Sequence, residues 1–93
     1  MERLDDEAIA TGLDGLLWAR EGDRLVRVIE RANFGEAMEV VIGVAQLAEG
    51  ANHHPDIHIS WSKVTLELSS HSAGGITQND LDLAAAIDGL VHD

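Results

Sequence analysis

Between Asn33 and about Gly50 the apolar residues recur at helical spacing, and downstream of that stretch the spacing drops to two. This change of period restricts the chain to folds that pack a sheet against helices. Phe34, Ala37, Met38, Val41, Ala45 and Ala48 carry the repeat, and Val40, Val44 and Leu47 widen its apolar side. Glu36, Glu39, Gly43 and Gln46 make the polar stripe. Asn33 and Glu36 fit an N-cap with its partner three residues on. A helix with so broad an apolar side is expected to cross the middle of the core.

Upstream, Leu4 to about Leu13 reads as a short helix. Asp5 is placed as its N-cap, Asp6 and Glu7 suit its first turn, and Leu4 and Ile9 hold the positions of a hydrophobic staple. The run LLWAREGDRLVRVIERA holds two strand-like segments around Glu-Gly-Asp. Its Leu, Val and Ile content and its Gly-Asp turn favour a hairpin, with a helix as the competing reading. Downstream, Ile57, Ile59 and Trp61 alternate with His58 and Ser60, and Val64, Leu66 and Leu68 alternate with Thr65, Glu67 and Ser69. These are two strands joined near Ser62-Lys63. The loop HSAGGITQND leads into a last helix, with Thr77 and Asp80 in capping-box positions.

The expected fold is therefore α+β: a four-stranded antiparallel sheet with three helices on one face, in the order α-β-β-α-β-β-α, residues 1–93 forming one domain. The other sheet face is left for solvent, a ligand or a partner subunit.

The 93 residues include no cysteine, so neither disulfides nor thiolate metal sites are available. A chain this short buries only a modest fraction of its surface, and self-association is expected to help it. The net charge of −11 comes from 17 acidic and 6 basic residues, the latter dispersed. Phosphate binding needs clustered Lys and Arg, which argues against direct nucleic-acid contact and against an anionic membrane surface. The acidity reads as solubility. No apolar run approaches the roughly 20 residues of a membrane span, and the opening MERLDDEAIA is charged, so a cytoplasmic location is expected.

The stretch NHHPDIHISW, residues 52–61, gathers three of the five histidines and the only proline. Histidine, with an unperturbed pKa of about 6.5, gives and takes protons near neutrality. A metal site is not expected, because adjacent loop histidines lack the His-x-x-x-His spacing and neither Glu49 nor Asp56 completes a ligand pattern. On spacing alone, an inert surface pair stays ahead of acid–base chemistry.

A longer pattern alters that balance. Glu49 is followed by His53-His54-Pro55, then Trp61, His71 and Asp80. With the NHHPDI loop, the SWSKVTLELSSHSAGGIT hairpin, the ND before the last helix, and Trp18 and Phe34 upstream, this resembles the pterin-4a-carbinolamine dehydratase family over nearly the whole chain. The family fold is the α+β arrangement already read from the periodicities.

The resemblance implies dehydration of a 4a-hydroxytetrahydrobiopterin-type substrate to the quinonoid dihydropterin, which recycles the pterin cofactor of aromatic amino acid hydroxylases. It implies no metal and no organic cofactor, the pterin being the substrate. By position, His53 and His71 are the proton-transfer pair, and His54 binds substrate or serves as a second acid–base group. Asp80 orients a histidine or holds the pterin, and it can cap its helix at the same time. Trp61 is a candidate wall of the site, though packing is its more ordinary role, as it is for Trp18. His58 and His92 are expected to be incidental. As a loop residue, His53 should be replaceable by alanine at a stability cost within about 1 kcal/mol.

The family also includes the dimerisation cofactor of a homeodomain transcription factor. A homodimer or homotetramer is therefore implied, and a non-catalytic interaction or assembly module on the same fold is the alternative function.

Overall fold

The computed structural model describes residues 2–92. The elements run α1 (Asp6–Leu13), β1 (Ala19–Glu21), β2 (Arg24–Glu30), α2 (Phe34–Ala51), β3 (Asp56–Ser60), β4 (Lys63–Leu68), a 3-10 turn (His71–Ala73) and α3 (Gln78–Leu90). This is the expected α-β-β-α-β-β-α order. All strands are antiparallel, in the order β1-β2-β4-β3. Two local hairpins thus pair through β2 and β4, and β1 and β3 are the edges.

The caps form where the sequence places them. Asp5 accepts the Ala8 N–H at 2.8 Å, and Asn33 accepts the Glu36 N–H at 2.9 Å. These contacts satisfy backbone donors that a helix start leaves unpaired.

Strand parity sorts the sheet. Leu25 and Ile29 of β2, and Val64, Leu66 and Leu68 of β4, are buried against the helices. Ile57 and Ile59 share that face through their pairing with Leu66 and Val64, but Ile59 at the uncovered edge stays 36% exposed. Ala37, Val44 and Ala48 of α2 and Leu83, Ala84 and Ile87 of α3 close the core. The buried face of α2 is centred on Val44. Phe34 and Ile42 project outward at 46% and 54% exposure, because an apolar sector this broad is wider than the sheet it covers.

A polar group sits inside this face. Arg27 occupies the inward parity between Leu25 and Ile29 and is 3% exposed. Its guanidinium donates to Asp88 Oδ1 of α3 at 2.7 Å. The same carboxylate accepts Trp18 Nε1–H at 2.9 Å and the Leu17 N–H at 2.8 Å. Asp88 therefore ties the start of the first hairpin to the last helix. Asp88→Ala, which strands the Trp18 and Leu17 donors, is expected to lower unfolding stability by about 2 kcal/mol, read from a urea midpoint.

Trp61 departs from its expected place in a strand. It is the first residue of the two-residue turn between β3 and β4, with φ of 56° and 68% exposure. The hairpin closes at Ser60 opposite Lys63 and needs a left-handed residue there. A bulky side chain in that conformation is strained and gains little burial. Trp61→Gly is expected to raise the thermal midpoint, by about 0.5–1 kcal/mol of stability.

Candidate active site

The carboxyl end of α2 sets the site. Asn52 adopts the left-handed conformation (φ 51°), its N–H bonds Glu49 O at 3.2 Å, and the His53 N–H bonds Ala48 O at 3.1 Å. This is the Schellman pattern, which satisfies the last carbonyls and turns the chain sharply off the helix. His53 is thereby fixed to the end of a rigid element rather than carried on a free loop. Pro55 follows and biases His54 towards an extended backbone, leading straight into β3.

His53 Nε2 lies 2.5 Å from Asp80 Oδ1, and Asp80 is fully buried. Oδ2 of that carboxylate accepts the Ser70 hydroxyl at 2.9 Å and the Thr77 N–H at 2.9 Å. Ser70 Oγ in turn lies 2.8 Å from Thr77 Oγ1. Oδ2 thus accepts two donors, and a carboxylate accepts on Oδ1 as well, so the tautomer of His53 that fits this contact carries its proton on Nε2. Nδ1 is left as the free ring nitrogen of His53. No buried side-chain nitrogen or oxygen among the described residues lacks a partner.

Ser70 also organises the neighbouring loop. Its N–H bonds Gly75 O at 2.8 Å and its carbonyl accepts the Gly75 N–H at 3.3 Å. This bridge pinches off the short 3-10 turn that carries His71, whose side chain is exposed. His54 is also exposed and reaches Glu49 Oε1 at 2.6 Å. Both partners lie in solvent, so that pair orients the ring more than it stabilises the fold.

His53, His54 and His71 converge on one cleft of about 420 Å³, with Asn52, Ser69 and Asn79 among its other walls. That volume is ordinary for a small-molecule site. Asp80 does not line it and stands behind His53; its contact is with the histidine. Trp61 is away from the cleft, on the exposed hairpin tip. His58 and His92 are exposed and also outside it. Among the described residues no group of three or more His, Cys, Asp or Glu side chains is placed to hold a metal.

Ser70 escaped the sequence reading, although its signal was present. It continues the buried parity of Leu66 and Leu68, so a hydroxyl there faces inward and must find a partner. Asn79 carried no such signal, because its place on the cleft wall depends on how α3 docks against α2.

The fold and this site define an α+β protein with three histidines around one cleft and a buried carboxylate behind one of them. Comparison with known proteins gives the family. The model of the pterin 4 alpha carbinolamine dehydratase family matches residues 2–90. Relatives carrying the pterin-4-alpha-carbinolamine dehydratase name occur in Nocardia farcinica (51% identical over 98% of this chain and 97% of the relative) and in Thermomicrobium roseum (53% identical over 90% and 91%).

A crystal structure of a transcriptional coactivator/pterin dehydratase from Brucella melitensis superposes with a TM-score of 0.92 at 23% identity, covering 98% of this chain and all of the other. A pterin dehydratase-like RuBisCO assembly factor of the α-carboxysome superposes with a TM-score of 0.64 at 18% identity, covering 81% and 87%. At those identities the two structures speak to the fold alone. This chain belongs to the pterin 4 alpha carbinolamine dehydratase family.

Proposed function

We propose that the protein is a hydro-lyase that dehydrates a 4a-hydroxytetrahydropterin to the quinonoid dihydropterin. The observation that carries this reading is the His53–Asp80 contact, buried on the carboxylate side and open to a cleft that also holds His54 and His71. The reaction removes a proton from the ring nitrogen N5 and breaks the C4a–O bond, with the hydroxyl leaving as water once it receives a proton. A base and an acid within hydrogen-bond reach of one ring suffice.

In this reading His53 uses its Nδ1, because Nε2 is committed to Asp80. His71, which also lines the cleft and is exposed, exchanges protons with solvent between turnovers. Asp80 is a positioning residue: it holds the His53 ring in one tautomer and one orientation, and the Ser70 and Thr77 donors hold Asp80. His54, steadied by Glu49, contacts the substrate. Turnover needs only groups of the chain itself and of the substrate.

The test is dehydration of a chemically prepared 4a-hydroxytetrahydropterin by the purified protein. A rate well above the uncatalysed one, lost in the His53→Ala/His71→Ala double variant, supports the reading. A rate equal to the uncatalysed one, or unchanged in the double variant, ends it.

A second reading, a protein-interaction or assembly module, is favoured by one observation: Phe34, Ile42 and Leu90 are large, apolar and 46–54% exposed. The same surface suits a homodimer or homotetramer, which light scattering would reveal as a multiple of the 10.0 kDa chain mass. Recovery of no stoichiometric foreign partner from native cells counts against the module. A cytoplasmic site of action remains part of the proposal; no helix among the described residues is long and apolar enough to cross a membrane.

A further inference from the structure

His71 stands on a three-residue 3-10 turn and its ring is exposed, so the backbone of its loop must hold it in place. The amino side of that loop is fixed by Ser70, whose hydroxyl donates to the buried Asp80. The carboxyl side, Gly74 to Ile76, is covered by a distant part of the chain, the pair Arg3-Leu4 that precedes α1.

This pair lies on the loop as a strap. The Leu4 N–H bonds Ile76 O at 2.8 Å, and Arg3 Nη1 donates to Gly74 O at 3.4 Å. Between those bonds the stem of Arg3 covers Gly75. A Cβ built on Gly75 would lie 2.5 Å from Arg3 Cδ and 3.1 Å from Arg3 Cγ. The next atom, Asp23 Oδ1, is 3.8 Å from the same point, so Arg3 alone fills that space. An exposed arginine thus covers a buried glycine with its apolar stem. The strap has its own anchor: Leu4 packs against the core, and Asp5, next in the chain, caps α1.

Gly75 passes the contact on to the histidine. It exchanges two backbone hydrogen bonds with Ser70, the residue before His71. The Gly74 N–H also bonds Ser70 O at 3.0 Å and His71 O at 3.1 Å. A shift of Gly75 therefore moves the turn on which His71 sits. Neither Arg3 nor Leu4 lines the histidine cleft, so the strap acts on the loop from outside it.

We infer that Arg3 is a positioning residue for His71 and acts through its packing on Gly75. The inference rests on the dehydratase reading for the reaction that His71 serves. The stem carries the effect, not the charge. With the stem in place the loop keeps one path, and the imidazole stays where the reacting ring meets it. Without the stem Gly75 is uncovered and the loop loosens, and a misplacement of about 1 Å is enough to slow a reaction by up to about 10²-fold.

Four variants of the full chain test this: Arg3→Ala, Arg3→Lys, Gly75→Ala and the Arg3→Ala/Gly75→Ala double variant. Each is read for kcat and KM on a 4a-hydroxytetrahydropterin, for the urea midpoint, and for the ring signals of His71 in a proton–carbon NMR spectrum. Arg3→Ala should lower kcat about ten-fold and leave KM within about two-fold, because the strap touches no substrate. It should also move the His71 ring signals, with the urea midpoint inside the spread of surface substitutions. Arg3→Lys keeps Cγ and Cδ and should retain both kcat and the signals. Gly75→Ala should lower kcat as Arg3→Ala does, because its methyl displaces the stem; Gly75 is outside the left-handed region, so its backbone accepts alanine. The double variant should lose no more than the larger single loss, since both changes remove one contact.

Unchanged kcat in Arg3→Ala overturns the inference. So does a loss that Arg3→Lys shares, or losses that multiply in the double variant. A protein without turnover, whose His71 signals move in Arg3→Ala and Gly75→Ala but not in Arg3→Lys, contradicts the dehydratase reading and leaves the strap standing. Signals unmoved in every variant overturn the strap.

Discussion

His53→Ala should lower kcat on a 4a-hydroxytetrahydropterin by about 10²- to 10⁴-fold, the span of a positioned proton-transfer group. It should also lower unfolding stability by about 1–3 kcal/mol, because Asp80 would keep its burial and lose a charge-assisted partner. The second effect revises the expectation of less than about 1 kcal/mol for a loop residue. His53 is anchored through its backbone to α2 and through its ring to α3, so it is a structural link as well as a candidate catalyst.

His71→Ala separates the two roles. Its ring is exposed, so turnover should fall while the urea midpoint stays within the spread of surface substitutions. A His53→Ala protein with unchanged turnover would remove the residue from the mechanism. One with unchanged stability would deny the buried contact.

Asp80 carries the second large effect, and two substitutions distinguish its parts. Asp80→Ala leaves the Ser70 hydroxyl and the Thr77 N–H without their acceptor, and the His53 N–H with them. Removing one partner from a buried, hydrogen-bonded cluster of this kind costs about 3 kcal/mol or more, a large fraction of the stability of a domain this size. Asp80→Asn keeps the shape. Its amide can accept on one atom only, so it either opposes the His53 N–H with its own donor or turns the ring to the other tautomer.

Turnover in Asp80→Asn should therefore fall about 10²-fold or more with a smaller stability loss than in Asp80→Ala. The measurements are kcat and the denaturation midpoint on each variant. Equal turnover in Asp80→Asn and the unaltered protein would reduce Asp80 to a helix cap.

The long helix and the second hairpin were legible in the sequence because their periods, helical and two-residue, are clean. The N-cap residues Asp5 and Asn33 were readable for the same reason: capping depends on neighbours three residues away. The hairpin around Gly22-Asp23 competed with a helix because Arg27 interrupts the inward parity. Its reason for being inward is Asp88, which is 61 residues distant and beyond any local pattern.

Trp61 was misread as a strand residue. Strict alternation from Ile57 runs through it, and only the turn geometry, set by the register of β3 on β4, takes it out of the sheet. The histidines were legible as a set only through the family resemblance. Their spacing cannot say that His53 faces Asp80, or that Ser70 buttresses both Asp80 and the His71 loop. Those contacts arise where the end of α2, the end of β4 and the start of α3 meet, and that meeting point is a product of packing.

The central claim is that one reduced pterin lies among His53, His54 and His71. The most direct measurement is a crystal structure of the protein with an unreactive dihydropterin bound. The expected result is the ring in the 420 Å³ cleft, its N5 edge within about 3.2 Å of Nδ1 of His53 and of a ring nitrogen of His71. A ring bound elsewhere on the surface, or one in the cleft with its N5 edge turned away from both histidines, would contradict the account.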